Sequence, residues 1–286
     1  MTLDEFLEEW NNGNDCITVH TSGSTGKPKP MRVEKRRMEA SARITCRFLD
    51  LKQGDTALLC MPLDYIAGKM VVIRSIVAGL RLISVKPGGH PLRGLDRSPV
   101  FAAMVPLQVY DSISNPEERR LLMGVRQLII GGGAVDDALC DALKDFPNAV
   151  WSTYGMTETL SHIALRRLNG PEASEWYTPF ENVSVATDAD GCLMIDAPAV
   201  CEKRLKTNDI AELDADGRRF RIIGRKDNVV CSGGIKMQIE EMERQLKPHA
   251  ACRFMITKVK DHRLGEAVAM LVEGDESETM RRLCEE

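Results

Sequence analysis

Short apolar runs alternate with longer amphipathic stretches between Thr56 and Gly155. A short apolar run bounded by turn residues is typical of a buried strand, and apolar positions three or four residues apart are typical of a helix. The pattern predicts helices around 66–78, 106–123 and 135–144, and five strands with the sequences TALLCM, LRLISV, VFAAMV, RQLII and AVWSTY. Such alternation favours a parallel sheet flanked by helices, with chemistry at the loops after the strands.

The remainder of the chain has a different pattern. Turn pairs such as Asp190-Gly191 separate short runs in residues 160–224, which have the sequences SHIALRR, VSVAT, CLMID, IAELD and RFRII. Asp-Gly turns favour hairpins, so we expect a small antiparallel sheet or barrel here. A helix (KMQIEEMERQLKPH), two strands (CRFMITKV and AVAMLVE) and a last helix from about Ser277 should follow. The expected fold class is therefore α/β, with a large domain over 1–224 and a small α+β domain over 225–286.

Composition excludes several classes of protein. Of the 286 residues, 43% are hydrophobic, which is enough for a substantial core. Lys and Arg number 38 against 42 Asp and Glu, so no nucleic-acid partner is expected. The nine cysteines are scattered without a Cys-x-x-Cys pair, as in proteins with reduced thiols. The acidic start MTLDEFLEEW and the lack of an apolar stretch of about 18 residues argue against secretion and a membrane span, so a cytoplasmic location is expected.

The stretch HTSGSTGKPKP at residues 20–30 is rich in hydroxyls, glycine and lysine. Backbone N–H groups in such a turn converge on one point and the lysines add positive charge, so a polyphosphate is a suitable ligand. A Walker loop is excluded, because Thr21 stands where its first glycine should be and Pro28 where its Ser/Thr should be. A Ser-x-x-Lys nucleophile pair lacks its companion Ser-Asp-Asn and Lys-Thr-Gly elements. A solvated turn between two strands remains the alternative.

Further motifs follow in an order that chance rarely supplies: Gly131-Gly132-Gly133-Ala134, Tyr154-Gly155-Met156-Thr157-Glu158, Thr207-Asn208-Asp209 and Gly224-Arg225-Lys226-Asp227. With the loop at 21–29, they closely resemble the adenylate-forming superfamily of acyl-CoA synthetases, adenylation domains and luciferases. The resemblance runs from residue 16 to about residue 272. It implies a two-step reaction, in which a carboxylate and ATP form an acyl adenylate and pyrophosphate, and a thiol such as that of CoA then displaces AMP.

The resemblance also implies the residues that contact the nucleotide. They are Thr21, Ser22, Gly23, Ser24, Thr25, Gly26, Lys27, Lys29, Gly131, Gly132, Gly133, Ala134, Thr153, Tyr154, Gly155, Met156, Asp209 and Arg225. The loop would hold the β and γ phosphates. Tyr154 would stack on adenine, while Asp209 and Arg225 would bind the ribose. Each motif taken alone also fits an ordinary strand end, capping box or turn.

Catalytic roles are implied for three residues. Thr157 would donate to the α phosphate, Lys27 would supply positive charge, and Glu158 would be the Mg²⁺ ligand, since carboxylate oxygen suits this hard cation. Asp227 would be the hinge between the large domain and a small lid. Rotation there would carry the glycine loop with Gly233 and Gly234 into the site for thioester formation; a solvated turn is the alternative for that loop.

Two departures from the superfamily pattern shape the expected substrate. Only twenty residues precede the phosphate loop, a short form that resembles the o-succinylbenzoate:CoA ligase branch of menaquinone synthesis, with similar stretches TNDIAELD and GRKDNVVCSGGIK. The acyl pocket should be lined by residues 65–69 from Tyr65 on, by 105–109, and by Ser152 and Thr153. Lys69 or Arg74 would bind the distal carboxylate of an aromatic dicarboxylic acid, although either could be an ordinary helix surface residue.

The second departure lies after the hinge. The superfamily carries an adenylation lysine in a Gly-Lys segment near the end of a lid of roughly a hundred residues. About 60 residues follow the hinge here, and Lys247, Lys258 and Lys260 lie in no such segment. We therefore expect 225–286 to be the first part of a lid, and nucleotide binding to survive better than adenylation. A ligase for another acid and a nucleotide binder without catalysis remain alternatives, and the oligomeric state stays open.

Overall fold

The computed structural model describes residues 1–20, 30–250 and 252–273. The chain divides into two compact units: Met1–Ser184 with Asp196–Arg204, and Val185–Ile195 with the described residues from Leu205 onward. This division lies elsewhere than the domain boundary expected after Gly224. The boundary after Gly224 was predicted from an expected hinge, which the division into compact units does not test, so it stays a prediction.

The first unit contains six helices and nine strands within the described residues. The helices are α1 (Leu3–Asn11), α2 (Lys35–Phe48), α3 (Ile66–Ala78), α4 (Pro106–Ser114), α5 (Pro116–Met123) and α6 (Asp137–Leu143). The strands are β1 (Cys16–His20), β2 (Pro30–Glu34), β3 (Thr56–Leu59), β4 (Arg81–Ser84), β5 (Phe101–Met104), β6 (Gln127–Ile130), β7 (Ala149–Gly155), β8 (His162–Arg167) and β9 (Thr178–Pro179). β1 and β2, on either side of residues 21–29, pair antiparallel.

Seven strands of this unit form one sheet in the order β4-β3-β5-β6-β7-β8-β9. The first five run parallel, which confirms the five predicted strands and the predicted parallel sheet. All residues of β3 and β5 are buried, and burial on both faces is why these strands read as continuous apolar runs. The cluster that packs the sheet against α4, α5 and α6 includes Leu58, Met104, Val109, Leu122, Leu128, Ile130, Leu139 and Val150.

Several elements differ from the sequence expectation, and the helix expected from Lys236 begins at Ile239. The run SHIALRR was expected in the small sheet but forms β8 of the large one, where it pairs antiparallel with β7 and β9. The helix expected over 106–123 is two helices, because Pro116 cannot continue α4 and the Asn115 side chain accepts from the N–H groups of Glu117 and Glu118 to begin α5. Helix α2 was not predicted, although its buried Met38, Ala42 and Thr45 follow helical spacing.

The second unit consists of two small sheets and one helix within the described residues. Its elements are β10 (Ser184–Thr187), β11 (Cys192–Asp196), β12 (Leu205–Leu213), β13 (Phe220–Arg225), β14 (Val229–Ser232), β15 (Ile235–Gln238), α7 (Ile239–Leu246), β16 (Phe254–Asp261) and β17 (Gly265–Val272). The sheet orders are β10-β11-β12-β13 and β15-β14-β17-β16. The predicted small antiparallel sheet is confirmed in β11, β12 and β13, and the helix expected from about Ser277 lies outside the described residues. Among the described helices of either unit, none combines the length and apolar character that a membrane crossing requires.

Candidate functional site

A cavity of about 400 Å³ opens at the carboxyl ends of β3, β5, β6 and β7 in the first unit. Loops that follow parallel strands meet at this edge, which is where α/β sheets generally bind ligands. The volume suits a small organic molecule. Its lining includes Met61, Pro62, Tyr65, Arg74, Met104, Val105, Ile129, Gly131, Gly132, Thr153, Gly155, Met156, Thr157, Ser161 and His162. Most of these side chains are apolar or small. The polar ones come from α3, from β7 and the segment after it, and from His20 at the end of β1.

Two glycines in the lining of this cavity lie very close to neighbouring atoms. A methyl group at Gly131 would collide with the Thr153 hydroxyl, and one at Gly155 would collide with the backbone of Ser161 and His162. The neighbouring Gly132 has φ of +77°, a conformation that side chains rarely adopt. Gly155 is therefore required by close approach to backbone and Gly132 by backbone torsion, whatever ligand binds, whereas Gly131 meets a side-chain hydroxyl that can rotate.

The segment after β7 is held by its own hydrogen bonds. Thr159 Oγ1 accepts from the Met156 N–H at 3.0 Å and lies 2.7 Å from the Ser161 carbonyl oxygen. Thr157 is buried at 7% exposure and lines the cavity. Glu158, one residue on, is exposed. The turn thus directs a hydroxyl to the cavity and leaves a carboxylate in solvent.

Alternation along β7 separates the predicted contacts. Thr153 lines the cavity, whereas the Ser152 hydroxyl lies 2.8 Å from Tyr177 Oη and the ring of Tyr154 packs 5.8 Å from the ring of Tyr177. Successive side chains on a strand point to opposite faces. Ser152 and Tyr154 are therefore not among the described lining residues, and neither are Gly133 and Ala134, which belong to the exposed loop after β6.

Arg74 supplies the positive charge of the cavity. Its side chain is 2% exposed, and its Nη2 donates to Ser161 Oγ at 2.6 Å. Within the described residues, its Nε has no hydrogen-bond partner and no carboxylate lies within ion-pair range. Burial lowers the pKa of Arg74 to about 10, so the guanidinium remains charged at neutral pH. A buried cation without a counter-charge is a strong site for an anion.

Lys69 lies elsewhere, although it was predicted for the same pocket. Its ammonium is 3.4 Å from Glu9 Oε2 and 4.9 Å from the ring centroid of Phe6, both on α1. It is absent from the described lining of the cavity. Positions 69 and 74 point about 140° apart on one helix, so they cannot serve the same pocket. Helical geometry alone could have separated these two candidates.

Sequence reasoning missed a buried polar group beside Arg74. His162 is 8% exposed, and its Nε2 lies 3.1 Å from the hydroxyl of Thr45 on α2. Its Nδ1 lies 3.2 Å from Ser161 Oγ. Burial, with a smaller contribution from the Arg74 charge, lowers the pKa of His162 well below its ordinary value. His162 is therefore neutral at physiological pH.

In the second unit, strand register brings the predicted ribose ligands together. Asp209 and Arg225 are paired residues of β12 and β13, and Arg225 Nη1 lies 3.3 Å from Asp209 Oδ1. Arg225 Nη2 also lies 3.1 Å from Asp227 Oδ2. Asn208 Nδ2 lies 3.3 Å from the same Asp227 oxygen. The predicted hinge residue is thus tied to the predicted ribose site by hydrogen bonds.

The predicted glycine loop is the turn of the β14-β15 hairpin. Gly233 and Gly234 both have positive φ, +57° and +87°, as a two-residue hairpin turn requires. The phosphate loop, with all the predicted contacts from Thr21 to Lys29, lies outside the described residues.

Magnesium can be tested against the side chains that the structure describes. Within 1–20, 30–250 and 252–273, no group of three or more His, Cys, Asp or Glu residues could hold a metal ion. Mg²⁺, however, is commonly held by one or two carboxylates together with phosphate oxygens and water. The exposed carboxylate of Glu158, next to the cavity-lining Thr157, fits that mode of binding.

Comparisons with known proteins agree with this geometry. The 2-succinylbenzoate–CoA ligase of Escherichia coli is 25% identical over 280 residues, which cover 93% of this chain and 60% of the relative. The crystal structure of an acyl-CoA synthetase (AMP-forming)/AMP-acid ligase II-like protein from Dyadobacter fermentans is 35% identical, with a TM-score of 0.74, and covers 98% of this chain and 82% of that one. The chain thus spans about 60% of the length of the first curated relative and most of that solved chain.

The fold is shared with o-succinylbenzoate coenzyme A synthetase (MenE) from Bacillus subtilis, solved in complex with ATP and magnesium ion. That structure has a TM-score of 0.73 and 20% identity, and covers 94% of this chain and 62% of the other. The predicted resemblance to adenylate-forming enzymes is confirmed. Because the family model described as AMP-binding enzyme matches residues 4–191, the chain belongs to the AMP-binding enzyme family.

Proposed function

We propose that this chain acts in the ATP-dependent activation of a carboxylic acid as an acyl adenylate, followed by thioester formation with CoA, and that the acid is o-succinylbenzoate. The observation that carries the proposal is the buried guanidinium of Arg74 in the wall of the cavity, which has no ion-pair partner among the described residues. An acid with a second carboxylate would offset this charge. The Escherichia coli relative is named 2-succinylbenzoate–CoA ligase.

Different residues of the cavity lining would bind different parts of the acid. Apolar side chains such as Met61, Met104 and Ile129 would contact the aromatic ring. Arg74 would bind the ring carboxylate with charge-assisted hydrogen bonds, which are stronger than neutral ones. The other carboxylate would then extend toward Thr157, another polar residue of the lining. Tyr65, half exposed and also in the lining, would cover the ring.

In the first step, the carboxylate oxygen attacks the α phosphorus of ATP, the bond from that phosphorus to the bridging oxygen breaks, and pyrophosphate leaves. Thr157 would donate its hydroxyl proton in a hydrogen bond to an α-phosphate oxygen. Tyr154 would stack on adenine, and Asp209 would accept from the ribose hydroxyls while Arg225 donates to the sugar. Lys27 and the other loop residues would hold the remaining phosphates.

Glu158 would hold Mg²⁺, which offsets phosphate charge when it is bound. In the second step, the sulfur of CoA attacks the acyl carbonyl carbon and AMP leaves with the bonding electron pair. For that step, Asp227 is the proposed hinge and Gly233-Gly234 the proposed glycine loop. Support for these two roles comes from motif order and from the hydrogen bonds of Asp227.

The proposed function is tested by supplying this chain with ATP, Mg²⁺, CoA and either o-succinylbenzoate or palmitate, and by measuring pyrophosphate and thioester. We expect turnover of the aromatic acid in preference to palmitate. Turnover of palmitate alone would reject the acid assignment. Calorimetric titration with AMP and each acid separates binding from chemistry: binding without turnover would favour a nucleotide-binding homologue without independent catalysis.

Glu158→Gln provides the matched variant for the metal role. The fold should survive because residue 158 is exposed. Most Mg²⁺-dependent pyrophosphate release should be lost, since a neutral amide cannot match the charge of a carboxylate beside the metal. Near-normal release by Glu158→Gln would contradict the role given to Glu158.

A further inference from the structure

A continuous chain of buried polar groups leads from Arg74 to helix α2. Arg74 Nη2 donates to Ser161 Oγ at 2.6 Å, Ser161 Oγ lies 3.2 Å from His162 Nδ1, and His162 Nε2 lies 3.1 Å from Thr45 Oγ1. Thr45 Oγ1 in turn donates to the carbonyl oxygen of Ser41 at 3.1 Å. Thr45, His162 and Arg74 are each less than 10% exposed. Only the Arg74 end of this chain has donors left for a ligand.

The direction of each hydrogen bond follows from proton counting. The Thr45 hydroxyl has one proton, which it gives to the Ser41 carbonyl one helical turn earlier. With the Thr45 proton on the Ser41 carbonyl, Thr45 accepts from His162 Nε2, and this assignment fixes the His162 tautomer. A neutral imidazole that donates at Nε2 accepts at Nδ1, so it accepts the proton of Ser161. A lone pair of Ser161 Oγ then accepts the hydrogen bond from the Arg74 guanidinium.

This direction matters because the guanidinium needs an acceptor on its protein side. If His162 carried its proton on Nδ1, Ser161 Oγ would accept from both His162 and Arg74, and its own proton would need another acceptor. With the proton on Nε2, one N–H of Arg74 is fixed to the protein, and Arg74 has five N–H donors in a planar fork. The remaining donors are then oriented without a second protein partner in the described part of the chain.

We propose that His162 and Thr45 are positioning residues for the acid site, which act through Ser161 to hold the Arg74 guanidinium where the second carboxylate of the acid binds. The inference rests on the proposed function for its ligand. The hydrogen-bond chain itself does not depend on that function, because it can be observed in the ligand-free protein. Neither His162 nor Thr45 needs to touch the acid, so their effect should depend on whether the acid carries the second carboxylate.

The experiment measures the affinity of the full chain for two acids by calorimetric titration. The first is o-succinylbenzoate, and the second is 4-oxo-4-phenylbutanoate, the same acid without the ring carboxylate. Thr45→Val removes the hydroxyl at nearly constant volume. We expect it to weaken o-succinylbenzoate binding about 5- to 10-fold, as for one hydrogen bond to a charged site, and to change the affinity for the second acid less than about twofold.

Two further variants separate positioning from general damage. Thr45→Ser keeps the hydroxyl and should restore most of the preference between the acids. Ser75→Ala removes a buried hydroxyl of α3 that donates to the Val71 carbonyl at 2.9 Å. That variant should lose stability without changing the preference. If Thr45→Val weakens both acids equally, or neither, the positioning proposal is wrong.

Nuclear magnetic resonance of the ligand-free chain decides the same question without the acid. The ring nitrogens of His162 should report the neutral form protonated at Nε2, and the Arg74 guanidinium should rotate slowly in the wild type and in Thr45→Ser, and faster in Thr45→Val. Protonation at Nδ1, or an Arg74 signal unchanged by Thr45→Val, would overturn the proposal. Equal wild-type affinity for the two acids would instead contradict the proposed substrate, and these spectra would then decide the positioning role.

Discussion

The two compact units place several of their polar functional groups in different surroundings. In the first unit, Arg74 and Thr157 are 2% and 7% exposed. In the second unit, the side chains of Arg225 and Asp227 are 38% and 49% exposed. Buried polar groups need packed partners, because each unmade hydrogen bond is costly there. Exposed groups can be placed by strand register and turns alone, so the polar groups of the two units should respond differently to substitution.

The glycines show the same difference. Gly155 of the first unit is required because the backbone of Ser161 and His162 approaches it closely. Gly234 of the second unit has open space around it, and is required by its φ of +87°. Steric contact in a packed wall is harder to relieve than backbone torsion in an exposed turn. Substitution of Gly155 should therefore reduce stability more than substitution of Gly234.

Gly155→Ala should have the largest effect. A methyl group would meet backbone atoms that cannot rotate away, so we expect the free energy of unfolding to fall by about 3 kcal/mol or more. Chemical denaturation measures it. Gly13→Ala is the matched control, since among the described residues no atom beyond its chain neighbours lies within 4 Å of the added methyl group, and it should change stability by less than about 0.5 kcal/mol. A mild Gly155→Ala would show that this wall is less rigid than its packing implies.

Asp209→Ala should weaken the binding of ATP and AMP alike, because both carry the same ribose. The expected loss is about 2 kcal/mol, or roughly 30-fold in Kd, as for hydrogen bonds to a charged group. Stability should change little, because the partner Arg225 is partly exposed. Asp190→Ala breaks the exposed pair with Lys226 and should leave nucleotide affinity intact. A loss confined to the acid would remove Asp209 from the nucleotide site.

Acid should destabilise the first unit through His162. Its pKa is well below the ordinary value in the fold, mainly because it is buried and also because Arg74 is nearby. Above pH of about 6.5 the side chain is neutral in both states and its contribution is complete. Below that pH the unfolded chain binds a proton that the folded chain does not, so stability is lost at up to about 1.4 kcal/mol per pH unit.

The measurement for this prediction is the free energy of unfolding between pH 7 and pH 5 for the wild type and for His162→Gln. The variant should have the shallower dependence, since glutamine does not titrate. Parallel curves for the two proteins would mean that His162 is able to take up a proton in the folded chain.

Gly234→Ala should have the smallest effect, about 1 kcal/mol, because only the torsion of an exposed hairpin turn is strained. Gly234→Asn should cost less, since asparagine tolerates positive φ. Thermal unfolding of the two variants is sufficient to rank them. A cost for Gly234→Ala equal to that of Gly155→Ala would remove the contrast between the units.

The sequence could predict the elements whose patterns are local. Strands β3, β5 and β6 were predictable because burial on both faces produces continuous apolar runs, and the Gly233-Gly234 turn lies in a predicted glycine loop. β8 was assigned to the wrong sheet, since strand partners depend on tertiary pairing that periodicity does not encode. Pro116 could have divided the helix expected over 106–123, but the amphipathic pattern continues across it.

The site was predictable to the extent that its motifs are contiguous. The residues from Thr153 to Thr157 were predicted from their motif. Strand alternation determines which side chains on β7 face the cavity and which face away from it. Thr45 and His162 were missed because they are 117 residues apart and the helix that carries Thr45 was not predicted. Long-range polar contacts of this kind leave no spacing in the sequence.

The most direct test of the central claim is a cycle that combines Arg74→Met with removal of the ring carboxylate from the acid. Replacement of an unpaired buried cation by a flexible apolar side chain should leave the fold intact. We expect Arg74→Met to weaken o-succinylbenzoate about 100-fold and 4-oxo-4-phenylbutanoate hardly at all, a coupling of about 2.7 kcal/mol. Lys69→Met, which breaks the pair with Glu9 away from the cavity, should leave both affinities unchanged. Equal losses for the two acids in Arg74→Met, or a selective loss in Lys69→Met, would contradict the account.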